Sequence, residues 1–192
     1  MPQPDQAALD FLLSRRSRPH KMLGDPVPDR AQLEPILTAA LRAPDHGKLE
    51  PWRLIVLERA ALMRLAERVG PCGERLGRAP EEIDKQRAQY ADAGLAVAVV
   101  CAPVESPKVP QVEQVLSTGA VCLQLLNAAL ASGWGANWLT GWACHDETFA
   151  REGLGVEAPE LVAGLIHIGT EKMAPPDRPR PDLDAKVAWV AE

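Results

Sequence analysis

Residues 111–140 read QVEQVLSTGAVCLQLLNAALASGWGANWLT. The first part has no proline and carries Val115, Leu116, Val121, Leu123, Leu125, Leu126 and Leu130, so the spacing predicts one helix over 111–132 that is apolar almost all round. Gly133, Trp134 and Gly135 end it, and 136–140 then reads as a short strand. A membrane span needs about 20 residues with few polar interruptions. Glu113, Gln114, Gln124 and Asn127 interrupt this run, which points to a helix of the core or of a subunit interface and to no membrane partner.

Working outward, LAVAVVC at 95–101 reads as a strand buried on both faces, and 161–168 as another ending at Gly169 and Thr170. Upstream, 52–57 is a short strand fed by a turn-rich loop, while 59–69 and 81–90 read as surface helices. Asp5 caps a first helix with Leu9, Leu12 and Leu13 at helical spacing, which ends in Arg15 and Arg16 before Pro19. A second helix starts at Pro28 and Asp29 and ends at Arg42, with Pro35 expected to bend it or delay its start. Strands and helices alternate without a strict βαβ rhythm, which favours an α+β fold with a four- or five-stranded sheet over a doubly wound parallel one. No linker divides the 192 residues, so 1–192 is read as a single domain.

Composition narrows the function. The net charge of -5 argues against a nucleic-acid partner, whose phosphates demand an extended basic surface. Cys72, Cys101, Cys122 and Cys144 lie too far apart in sequence for a metal knuckle or a disulfide framework, so buried thiols and no metal are expected. Cys144, His145 and Asp146 are neighbours, whereas nucleophile, base and orienter converge in space rather than in sequence. The N-terminal segment has no secretory pattern, so a cytoplasmic protein is expected.

Four patches carry chemistry. Arg15, Arg16, Ser17 and Arg18 suit a phosphate, because guanidinium forks match its oxygens, although cations at a helix C-terminus also simply complement the dipole. The loop from Arg42 through His46, Lys48 and Glu50 to Trp52 concentrates ionisable groups beside a tight turn, or else is an ordinary helix-to-strand connection. Asn137, Trp138, Leu139, Thr140, Gly141 and Trp142 combine small residues with aromatics able to flank a planar ring, or to anchor a core. Arg178 and Arg180 punctuate a proline-rich tail, solvated or phosphate-binding.

In this order, the R-R-S helix end, the A-P-D-H-x-x-x-x-P-W loop, the long apolar helix with its G-x-x-W-x-T-G turn, and the late G-T and R-P-R-P resemble the FMN-dependent nitroreductases, over nearly the whole chain. The A-P-D-H loop is similar to that of the small, minimal branch. The resemblance implies a three-layer fold around a mixed sheet, in an intertwined homodimer with shared active sites. It implies FMN bound noncovalently, with Arg15, Arg16 and Ser17 at the phosphate and ribityl end, Arg42 and His46 reaching the flavin of the other subunit, and Trp138, Leu139 and Thr140 lining the ring largely through backbone. Arg178 or Arg180 is a further phosphate ligand in that frame. Lys48 and Glu50 stand where many relatives carry Asn and Gln, and Pro19 where some carry a flavin-contacting Lys.

The implied activity is hydride transfer from NAD(P)H through flavin N5 to a nitroaromatic, quinone or similar acceptor, with ping-pong kinetics and no catalytic side chain. No G-x-G-x-x-G follows a strand, so the dinucleotide visits rather than resides. The alternative is an FMN carrier without turnover.

Overall fold

Strand β3 (Leu95–Cys101) is buried at every position and divides its side chains between two cores. Ala96, Ala98 and Val100 face one, and Leu95, Val97 and Val99 face the other, because successive residues of a strand point to opposite sides. This is why its sequence is an unbroken apolar run. The computed structural model describes residues 3–191; Met1, Pro2 and Glu192, the ends of the single domain read from the sequence, lie outside the described residues.

The remaining strands are β1 (Leu23–Gly24), β2 (Trp52–Glu58), β4 (Gly135–Leu139) and β5 (Leu161–Glu171). The helices are α1 (Gln6–Ser14), α2 (Arg30–Ala40), α3 (Arg59–Arg75), α4 (Pro80–Ala91), α5 (Gln111–Ala131) and α6 (Glu147–Leu154). Side chains of α3, α4 and α6 contribute to the first core and those of α2 and α5 to the second, giving the expected three layers. The long helix is a core helix on one side: α5 buries Val121, Cys122, Leu125, Leu126 and Ala129. Its other side exposes Val112, Val115, Leu116 and Leu123. α1, capped by Asp5 as expected, buries nothing and exposes Leu9, Leu12 and Leu13.

The sheet differs from expectation in one respect. Among the described residues every pairing is antiparallel, whereas a mixed sheet was expected. α5 does carry the chain between two strands of like direction, β3 and β4, but β5 lies between them and pairs antiparallel with both. The hairpin of α3 and α4 returns the chain to the end of the sheet it left, so β2 and β3 are antiparallel too. Pro35 neither delays nor ends α2, whose start is held by a capping box of Asp29 and Gln32. α6 and β1 are additions to the sequence reading.

Candidate active site

The loop after α1 is held by the sheet rather than left in water. The Arg18 backbone N–H donates to the carbonyl of Ala136 at 2.8 Å, which fixes the loop to the start of β4. The Arg18 guanidinium pairs with Glu171 at 2.6 Å and donates to the carbonyl of Arg16. Arg18 is thereby spent on structure. Arg15 and Arg16 are not: both are half-buried, and the Nε of each is enclosed with no hydrogen-bond partner among the described residues. Arg15 reaches only the Ser17 hydroxyl, at 3.0 Å. Burial first, then the nearby Arg180 and Arg16, hold the Arg15 pKa below its ordinary value. Three guanidiniums thus bear on one another, with Arg180 also 3.5 Å from Asp177, and the Arg15–Arg16 pair has the electrostatics of an anion site. Arg16 also meets the carbonyl of Pro176 at 3.5 Å, so the tail lies beside the loop. Of the two tail arginines, Arg180 bears on Arg15; Arg178 is exposed, its backbone N–H donating to Asp177.

Two residues further along β4 from Ala136, at Trp138, a cavity of about 560 Å³ opens between the strand and α4. Trp138, Leu139, Thr140, Gly141 and Trp142 line it on one side, and Gln86 and Gln89 on the other. Both glutamines are buried, with the Gln86 amide donating to Gln89 at 3.1 Å and the Gln89 amide aimed at the Thr140 carbonyl at 3.4 Å. Gly141 has φ 79°, and a Cβ there would collide with the Gln86 amide, so glycine is required twice over. The Trp138 side chain does structural work. β5 carries one extra residue, Ala163, where its register with β3 shifts, and the Trp138 indole donates to the carbonyl of Ala163 at 3.3 Å. The indole is therefore engaged with β5.

Sequence reasoning missed Gln86 and Gln89. The available signal was that they continue the inward spacing of Ile83 along a helix otherwise rich in charge.

The second sequence-predicted loop lies elsewhere. His46 Nδ1 pairs with Glu113 at 2.7 Å, and the Ser117 hydroxyl donates to the Pro44 carbonyl and accepts from the Trp52 indole. These contacts fix Arg42 and His46 near the N-terminal end of α5, whereas the arginine loop adjoins β4, which follows its C-terminal end. With a rise of 1.5 Å per residue, Glu113 and Ala131 are roughly 27 Å apart. Within one chain the two patches do not meet. Gly47, Lys48 and Glu50 all have positive φ, at 77°, 55° and 47°, and both Lys48 and Glu50 are exposed. For residues with a Cβ this conformation costs energy and is held here by contacts such as the Glu50 N–H to Asp45.

Cys144 meets Tyr90 at 3.3 Å, and Asp146 serves Arg75 and the N-terminus of α6. All four cysteines are free and buried, and burial pushes the Cys144 thiol up to about 11 and that of Cys122 to about 12, so neither is a nucleophile. Among the described residues no cluster of His, Cys, Asp and Glu suits a metal.

A model of the nitroreductase family matches residues 12–170. YdjA of Escherichia coli (strain K12), provisionally named an NAD(P)H nitroreductase, is 33% identical over 166 residues, covering 86% of this chain and 89% of its own. A Haemophilus influenzae protein with the same provisional name is 36% identical over 166 residues, covering 85% and 88%. Among solved structures, a nitroreductase-like protein from Bacillus cereus superposes with TM-score 0.78 at 22% identity over 100% of both chains. The FMN and NADPH-dependent nitroreductase NfnB from a Sphigopyxis strain does so with TM-score 0.72 at 20% identity, covering 96% and 99%.

Proposed function

The chain belongs to the nitroreductase family, and on that premise we propose that it is an FMN-dependent oxidoreductase, moving hydride from NAD(P)H to a nitroaromatic, quinone or similar electron-poor acceptor. One observation carries the reading: β4 joins a cluster of guanidiniums at its start to an aromatic-walled, amide-floored cavity that begins two residues, or about 7 Å, beyond Ala136 and runs past the strand's end. FMN is a ligand of that form, with a phosphate dianion, a flexible spacer and a planar ring. The enclosed, unpartnered Nε atoms of Arg15 and Arg16 are donors such a phosphate would satisfy.

When bound, the flavin supplies the redox centre, its N5 taking and yielding hydride. The chain supplies position and electrostatics. Arg15, Arg16 and Arg180 neutralise the phosphate and Ser17 adds a hydroxyl. The backbone of Trp138, Leu139 and Thr140 lines the ring, and Gln86 and Gln89 offer amide donors and acceptors to its polar edge. Trp142 excludes water from one wall. One cavity then serves the donor and the acceptor in turn, which is ping-pong turnover. Free, buried thiols suit the reducing cytoplasm proposed as its location.

The same proposal makes the protein a homodimer with shared sites. Its apolar stripes on α1 and α5, and Leu183, Trp189 and Val190 of the tail, lack cover in one chain. The separation of the two loops supports the sharing, with Arg42 and His46 serving the partner's flavin. The purified protein is expected to be yellow, to bleach anaerobically with NADH or NADPH, and to recolour with a nitroaromatic or quinone. Bound flavin that neither nucleotide bleaches would make it a carrier; failure to take up FMN would end the reading. Arg15→Ala is expected to weaken FMN binding roughly ten- to a hundredfold, the worth of one charge-assisted hydrogen bond.

A further inference from the structure

The two charges at the mouth of the cavity differ in how they are partnered. Among its lining residues only Glu82 and Lys85 are charged. Glu82 is committed: one oxygen accepts the Ala79 N–H at 3.2 Å and the other lies 3.8 Å from Arg78. Arg78 in turn lies over the Trp142 ring, 5.5 Å from its centroid. On the outer face of α4, Asp84 is taken by Arg87 at 2.6 Å. Among the described residues Lys85 has no carboxylate partner within ion-pair distance, and its ammonium, with that of Lys21, bears on His20 against the single opposing Asp92. In a chain of net charge -5 this local cationic surplus runs against the overall sign.

Resting on the flavin-reductase reading above, we infer that Lys85 is a specificity-determining residue, selecting ligands that bring an anionic group to the cavity mouth while their ring lies within. The ammonium is a compact charge on a flexible stem, suited to meeting an anion of variable position. Two sources carry that chemistry: an acidic substituent on the acceptor, such as the carboxylate of a nitrobenzoate, and the pyrophosphate of the nicotinamide dinucleotide.

Two paired comparisons test it. The first is the ratio of kcat/KM for 4-nitrobenzoate to that for nitrobenzene. The second is the ratio of flavin reduction rates by NADH and by uncharged 1-benzyl-1,4-dihydronicotinamide. In Lys85→Ala one ratio is expected to fall roughly three- to tenfold, the range for a partly exposed ion pair with a hydrogen bond, mainly through KM. It should fall further in Lys85→Glu, recover in Lys85→Arg and shrink in high salt. A fall in the first ratio identifies the acceptor as the anionic ligand, and a fall in the second identifies the dinucleotide. If both ratios stay level in Lys85→Ala and Lys85→Glu while wild type turns over, the inference is overturned alone. If the uncharged pair, nitrobenzene with 1-benzyl-1,4-dihydronicotinamide, gives no turnover in wild type, the flavin reading falls and takes the inference with it.

Discussion

The arginine loop at 15–18 and the histidine loop at 42–52 both stood out by residue type, yet the fold treats them oppositely. The first is drawn into the sheet by Arg18, half-buried, and left with enclosed donors that nothing among the described residues satisfies. The second stands largely in solvent on a backbone with three positive φ angles, tied to α5 by the exposed pair of His46 and Glu113. A half-buried cluster of like charges needs a ligand, and a strained, exposed loop needs a surface to act on. Under the shared-site proposal FMN meets the first need and the partner chain the second.

The most damaging way to test that contrast is to remove the partner. Leu116 is 68% exposed on the outer side of α5, and a charge buried there in an interface would cost several kcal/mol. Leu116→Glu is expected to sediment as a monomer with its helical circular dichroism intact and with flavin turnover lost. A flavin-loaded, active monomer would mean that each chain is self-sufficient.

Milder is a mixed dimer of Arg15→Ala and His46→Ala chains. If the loops serve a site in trans, one site loses both residues and the other neither. The purified heterodimer should then show about half of wild-type activity, since a symmetric dimer carries equivalent sites. Activity no better than the mean of the two mutant homodimers would put both loops at the same chain's flavin.

Acid should separate the two ends as well. His167, buried on β5 with its ring 6.1 Å from that of His20, has both nitrogens unpartnered, and burial, then His20, lowers its pKa to about 3. His20 is lowered too, by burial first. Because the folded values lie below the unfolded one near 6.5, this contribution to stability is complete above pH 6.5. It is lost as pH falls from there towards about 3, at up to about 1.4 kcal/mol per pH unit for each proton. His167→Gln, neutral throughout, is expected to flatten the decline of unfolding free energy between pH 6 and 4.5. An unchanged slope would show that His167 does not carry it.

The smallest effect belongs to the histidine loop's own tether. Glu113→Gln breaks a pair whose members are 57% and 44% exposed, so denaturant titration should find a loss below about 1 kcal/mol. A larger loss would show the loop to be integral to the fold.

How much of this was legible depended on range. β3 and α5 were readable because burial on both faces, or on most of a helix surface, leaves an apolar run in the sequence itself. α6 was not, since its cap, Asp146, was weighed only as a member of a catalytic motif and its eight residues include Gly153. β1 is two residues long and exists only through β5. Gln86 and Gln89 read as surface because amides on a charged helix look solvated until the 140–141 turn is laid over them.

The sequence by itself determined which faces are apolar, where five of the six helices begin, that Arg15 and Arg16 form a cationic cluster in an acidic chain, and the family pattern that joins these features. Each is written in local spacing and residue type. Only the tertiary structure decided that β5 separates β3 from β4 and makes the sheet antiparallel, that Arg18 is ion-paired to Glu171 while Arg15 and Arg16 keep enclosed, unpartnered Nε donors among the described residues, that Arg180 rather than Arg178 bears on Arg15, and that the two loops lie at opposite ends of α5. Those outcomes depend on which distant segments pack together, and local periodicity records that a face is buried without recording against what.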